Sequence, residues 1–203
     1  MKKGSLISLF ILLIVSISAD ARSNVTRFTF GSECSYAGVF YSGYHYNFFA
    51  PEGYRVDPRE YGLTYKTNAE ALIHGGMDFG EKWNLSMYTG LSAFEDQHLT
   101  VPVSIRISRY YKGNTVGDQW FSFIDLGSGF SLKARPQEIY TGKLGGGYRL
   151  SLSSRTKLDI VMALRTVYTH TDIYYDGIRI PYDKINRNNA YDSAITLGIG
   201  LTF

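Results

Sequence analysis

Cysteine is almost absent from the 203 residues: Cys34 stands alone, so no disulfide can close within the chain and no cysteine-based metal site can be built. A lipid-anchored N-terminus would need a small-residue box ending in cysteine directly after the first apolar segment, and Cys34 comes too late for that. Histidine is scarce as well. His45, His74, His98 and His170 lack ligand spacing, and no His-Glu-x-x-His box occurs, so a metal centre is not expected. No proline-rich, serine-rich or single-charge run marks a linker, which points to one domain. Beyond the first 21 residues no apolar run approaches the roughly twenty that cross a bilayer as a helix. Mean hydropathy, at -0.13, excludes a bundle of such helices. Charge of one sign is lacking too: the net +3 is small and the basic residues are scattered, which argues against a nucleic-acid partner.

What the chain does have is aromatic residues, 17 Tyr and 12 Phe, and long stretches of strict alternation. The clearest runs from Tyr191 to Phe203. Its odd positions are Tyr191, Ser193, Ile195, Leu197, Ile199, Leu201 and Phe203, and its even positions are Asp192, Ala194, Thr196, Gly198, Gly200 and Thr202. One face is greasy and the other small and polar, over about ten residues, the length that crosses a bilayer as a tilted strand.

Residues 1–21 read as a secretory signal, with Lys2 and Lys3 as the positive region, Leu6 to Ile17 as the apolar core and Ala19-Asp20-Ala21 as the cleavage box. The remaining domain, 22–203, starts at Arg22. From Val25 a first strand sets Phe28, Phe30, Cys34, Tyr36, Phe40, Tyr44 and Tyr46 against Arg27, Glu33, Ala37, Gly43 and His45. Asn47 to Tyr61, with Pro51, Gly53 and Pro58, reads as a long loop. Further strands are expected at about 68–79, 83–94, 101–108, 120–130, 141–152, 157–170 and 191–203. Tight connections fall near Gly80, Gly117 and Ser153, and the longer ones at 47–67, 95–99, 131–140 and 171–190. The expectation is an all-β fold, an eight-stranded antiparallel transmembrane β-barrel in an up-and-down meander, with short turns at the periplasmic end and long loops outside. Ten strands, with the first long segment split, is the other count. Phe28, Phe79, Trp83, Tyr111, Trp120 and Phe203 are assigned to one rim, and Tyr44, Phe130, Tyr168 and Tyr191 to the other.

The inward rows collect Arg27, Glu33, Glu70, Asp78, Arg106, Asp125, Lys143, Arg149, Lys157, Asp159 and Arg165. An eight-stranded interior is only wide enough for side chains, so these acids and bases are expected to pair. A gated ion path, or a pocket at the outer mouth, is the sharper alternative. Gly145 to Gly147 suggest close strand packing, because no helix pattern follows to make a phosphate loop. No catalytic motif emerges: a His-x-Ser-Asn strand motif is absent, and His45 with a loop serine is the enzymatic arrangement that spacing leaves open.

The export signal, the run Leu99 to Arg106, the run Gly145-Gly146-Gly147-Tyr148-Arg149-Leu150 and the ending Leu197 to Phe203 resemble the porin-family, OmpA/OmpX-like small outer-membrane barrels of Gram-negative bacteria. The resemblance implies a monomer in the bacterial outer membrane, in contact with lipid and lipopolysaccharide, delivered by periplasmic chaperones and the barrel-assembly machinery, without cofactor. It carries no C-terminal peptidoglycan-binding domain. A structural or surface-interaction role through the outer loops is expected, with Tyr54, Arg55, Tyr174, Tyr175, Arg179 and Tyr182 as contact points. The rival readings are a narrow channel, a lipid A-modifying enzyme and a soluble lipocalin-like barrel with its greasy face inward.

Overall fold

A computed structural model describes residues 26–94, 98–112, 115, 117–132, 138–170 and 172–203. The expected export signal, 1–21, lies outside these residues, as do parts of the connections at 95–97 and 133–137. The elements in chain order are β1 (Thr26–Phe49), β2 (Arg55–Val56), β3 (Arg59–Phe79), β4 (Trp83–Phe94), β5 (His98–Tyr110) and β6 (Gln119–Ser131). They continue with β7 (Glu138–Ser151), β8 (Lys157–Thr169), β9 (Tyr174–Tyr175), β10 (Ile178–Arg179), a 3-10 turn at Tyr182–Lys184 and β11 (Ile185–Thr202).

Eight of these strands, β1, β3 to β8 and β11, pair antiparallel in an up-and-down order, and β11 returns to β1 to close the ring. At the seam Phe30 and Phe203 exchange both backbone hydrogen bonds, 3.2 and 2.8 Å, and their rings stack at 5.4 Å. Closure leaves no edge strand along the height that all eight strands share, the condition for a sheet to sit in hydrocarbon. The count is therefore eight, not ten.

The wall is greasy outside and charged inside. Ile73, Met87, Ile105, Leu126, Leu144, Leu164 and Leu197 supply one exposed aliphatic side chain from each strand but β1, where Phe28, Phe30 and Tyr36 face outward. All eight charges expected inside, Glu70, Asp78, Arg106, Asp125, Lys143, Arg149, Asp159 and Arg165, are buried, with Glu33 and Lys157. That arrangement rules out the lipocalin-like reading, which needs the aliphatic rows to line a cavity. Arg27 differs from expectation: it shares the inward parity but stands exposed at the open turn end. Phe28, Tyr111, Trp120 and Phe203 lie exposed on the outer face of the turn end, and Phe130 and Tyr140 on that of the loop end.

One side of the ring is taller than the rest. β1, β3 and β11 run to 24, 21 and 18 residues, against 12 to 14 for the other five wall strands. The loop expected over Asn47–Tyr61 is accordingly confined between Phe49 and Arg59, and the one at 171–190 ends at Ile185. A bulge at Phe40 also shifts the register, since Val39 pairs with Ala194 and Tyr41 with Ser193. The faces exchange beyond it. Tyr41 and Gly43 now point outward, Gly43 making room for the Tyr61 and Tyr191 rings, and Tyr44 and Tyr46 turn into the mouth. The parity of the first strand predicts both on the lipid face, and the bulge is what moves them.

The interior is not all polar. Tyr110, Phe121, Phe123, Val161 and Ala163 form an apolar cluster against the wall. Phe121 pairs in register with Gly147, and Phe123 with Gly145. A Cβ on Gly147 would stand 2.7 Å from the Phe121 ring, so these glycines do serve close packing.

Candidate functional site at the loop end

Inside the wall the charges meet across the strands that carry them. Arg106 of β5 forks onto Glu33 of β1, reaches Asp125 of β6 through Nε at 3.1 Å, and donates to the Tyr88 hydroxyl at 3.1 Å. Its guanidinium lies over the Tyr88 and Phe123 rings at 3.9 and 4.3 Å. Arg149 holds both oxygens of Asp159, at 2.7 and 2.6 Å. Lys143 donates to Glu70 at 2.7 Å, and Arg165 approaches the other Glu70 oxygen at 3.6 Å. A cavity of about 20 Å³ remains between Glu33, His74, Tyr88, Arg106, Arg149 and Asp159. That is room for a water molecule.

Segments at both ends also fold over the wall. At the turn end the connection from β5 to β6 does not simply reverse: it tucks Thr115 into the barrel, where its hydroxyl donates to Asp78 at 2.8 Å and its carbonyl accepts from Arg149 at 2.9 Å. At the loop end β9 and β10 pair as a small hairpin around Asp176 and Gly177, both at positive φ. Asp-Gly supplies that geometry at little strain. The hairpin is pinned by Ile173 and Ile180, which bury against Phe48 of β1 with Tyr46, Val56, Tyr175 and Ile185 packed around them.

Of the six loop residues singled out from sequence, two pairs are brought together. The Tyr54 and Tyr175 hydroxyls meet at 2.6 Å, and that hydrogen bond pushes the Tyr54 phenol up to about 12. Arg179 donates to Asp172 at 2.6 Å, which raises its guanidinium further, and it lies over the Tyr182 ring at 5.5 Å. Arg55 instead donates to Asn47, at 3.0 Å. Tyr174 extends into solvent. They form a cap with two internal ties, not a single cluster.

Sequence reasoning missed the staple beneath this cap. Arg187 Nη1 lies 3.1 Å from His45 Nδ1; arginine only donates, so Nδ1 accepts and Nε2 carries the proton it gives Asp57 at 2.8 Å. Arg59 donates to the second Asp57 oxygen at 3.0 Å. His45, then Arg59 and Asn47, hold the Asp57 carboxyl well below the usual carboxylate range. Both ring nitrogens of His45 are thus engaged, and no serine hydroxyl is among their partners. Below the cap, Ser42, Tyr44, Tyr46, Thr169, Ala190 and Asp192 line a mouth cavity of about 30 Å³.

Neither a protein-family model nor a curated protein matches the sequence. Among solved structures the chain is similar to Neisserial surface protein A, at TM-score 0.47 and 9% identity over 89% of this chain and 100% of that one. It is also similar to the outer membrane protein OprG from Pseudomonas aeruginosa, at TM-score 0.49 and 9% identity over 86% and 95%. The fold itself rests on the pairing within this chain. A closed wall with apolar side chains outside and salt bridges within suits an apolar surrounding such as a bilayer, and its eight antiparallel strands make the chain a small β-barrel of the outer-membrane type.

Proposed function

We propose that the protein acts at the bacterial cell surface as a closed, monomeric outer-membrane barrel, whose role is structural or adhesive and is exercised through the loop-end cap. One observation carries this reading. Among the described residues the lumen is filled by paired charges, while the cap is tied in place with Tyr54, Tyr174, Ile178 and Tyr182 exposed upon it. Preorganised tyrosines on a rigid scaffold make good binding anchors, because little side-chain freedom is lost when they are covered. The export signal and the expected dealings with lipopolysaccharide, periplasmic chaperones and the assembly machinery belong to the same reading. Among the described residues two observations weigh against the channel and lipid A-modifying alternatives: the cavity beside Arg106 holds about one water, and His45 is committed to Asp57 and Arg187.

Two measurements test it. Purified protein, verified as folded by β circular dichroism and a heat-modifiable gel shift, is added to a planar bilayer and stays silent. On intact cells a Tyr174→Cys variant, with Cys34→Ser in the background, reacts with a membrane-impermeant maleimide. Discrete conductance steps would establish the channel instead, and a Tyr174→Cys that labels only after the cells are broken would put the cap on the wrong side.

A further inference from the structure

Six acids are buried among the described residues, Glu33, Glu70, Asp78, Asp125, Asp159 and Asp192, against five bases, Arg106, Lys143, Arg149, Lys157 and Arg165. Among the described residues Lys157 enters no salt bridge, and neither do two of the acids, Asp78 and Asp192. Glu33, Glu70, Asp125 and Asp159 sit in salt bridges, and Asp78 accepts from Asn84 and Thr115. Asp192 is 6% exposed, enters no ion pair among the described residues, and its Oδ2 accepts no hydrogen bond. A buried carboxylate oxygen left so costs about 1–3 kcal/mol or more in desolvation, and such a site persists where something else satisfies it.

What surrounds the oxygen indicates what that is. The register pairs Asp192 with Ser42, and the next inward row holds Tyr44, Ala190 and Thr169. The Thr169 hydroxyl is likewise fully buried without a partner. The Tyr44 and Tyr46 rings stack at 4.6 Å, Tyr44 being held by its hydroxyl's bond to Glu60 at 2.8 Å. All line the 30 Å³ mouth cavity. A carboxylate, two hydroxyls and aromatic faces around a space for one small group form a cation site. Hard divalent metals ask for about six or more oxygens, which this wall lacks. A primary ammonium brings three donors, no acceptor and a water-sized head.

We propose that the mouth of the barrel binds a primary ammonium group, with Asp192 as its counter-charge, Thr169 and Ser42 as acceptors and the Tyr44–Tyr46 pair as its aromatic wall. The site is independent of what the cap binds.

The test uses the folded protein in detergent micelles, titrated with methylammonium chloride while backbone amides of residues 42–46, 169 and 190–192 are followed by NMR. Potassium chloride and tetramethylammonium chloride serve as matched arms. Methylammonium gives a saturable shift confined to those residues, and the other two salts do not. Asp192→Asn, near-isosteric and checked by the gel shift, weakens binding by at least about tenfold, the loss of one hydrogen bond to a charged group. Thr169→Val, which retains the charge, weakens it by a smaller factor. Shifts that never saturate, equal saturation by potassium, or an Asp192→Asn protein that binds like the parent would each overturn the assignment.

Discussion

Arg106→Ala is the substitution that most directly tests whether the lumen is packed and dry. The guanidinium makes hydrogen bonds to Glu33, Asp125 and Tyr88 and lies between two rings, so its removal leaves Glu33 and Asp125 buried with no arginine between them. Removing one partner of a buried pair costs about 3–5 kcal/mol, because the other charge remains desolvated. Here two acids are stranded, so the upper half of that range is expected. The assay is urea unfolding from lipid vesicles followed by emission of Trp83 and Trp120, the only two tryptophans. With a slope of about 2 kcal/mol per molar urea the midpoint falls by about 2 M. A companion variant, Arg106→Met with Glu33→Gln and Asp125→Asn, removes all three charges at similar volume and recovers most of the loss. If Arg106→Ala moves the midpoint by less than about 0.5 M, water already solvates these acids and the closed-lumen reasoning fails.

Depth in the bilayer gives a second test: Ile199→Arg, on the outer face of β11, costs about 2–4 kcal/mol in the same assay, whereas Leu63→Arg, on the tall part of β3, costs about 0–1. Equal costs would mean that the apolar belt is wrongly located. Thr115→Val removes a donor from buried Asp78 and loosens the tucked turn, with a loss of about 1–3 kcal/mol, and a neutral result would mean the tuck is incidental. The Asp57 staple predicts an acid dependence. Its folded-state value lies below the ordinary 3.8, so its contribution is fully present above about pH 4 and is lost as pH falls through the folded value. Proteolytic nicking between residues 50 and 58 therefore rises on acidification below about pH 4, and Asp57→Asn abolishes the dependence. Loosening on raising the pH would contradict the sign.

Strict alternation made most of the wall readable, because a strand with lipid on one side and paired charges on the other repeats every two residues. That is why the eight interior charges and the aliphatic rows were legible without a structure. The bulge was not, since Phe40 and Tyr41 are both aromatic and either phase of the pattern accommodates them. Two adjacent aromatics in a strict alternation were nonetheless its only mark, and they carried Tyr44 and Tyr46 to the other face. Above the bilayer both faces of β1, β3 and β11 meet polar surroundings, so the period vanishes and the sequence there reads as loop. The hairpin in the last loop did leave a signal: Asp176-Gly177 flanked by Tyr174, Tyr175 and Ile178. Thr115 and the His45–Asp57–Arg187 staple left none, as each depends on residues brought near by closure of the ring.

The polar interior has a further consequence for how the sequence selects its register. Arg106 faces Asp125, and Arg149 faces Asp159, as direct cross-strand partners. A slip of one residue along either ladder would turn these charges onto the lipid, at about 2–4 kcal/mol for each arginine near the midplane. A slip of two would keep them inside but pull each arginine about 7 Å from its carboxylate. An aliphatic interior would distinguish neither error, because both faces of every strand would then be greasy. The salt bridges add little net stability over apolar packing of equal volume, but each misregistered alternative loses them whole. They act mainly by raising the wrong pairings, and so leave the ring that closes Phe203 onto Phe30 as the one low-energy arrangement.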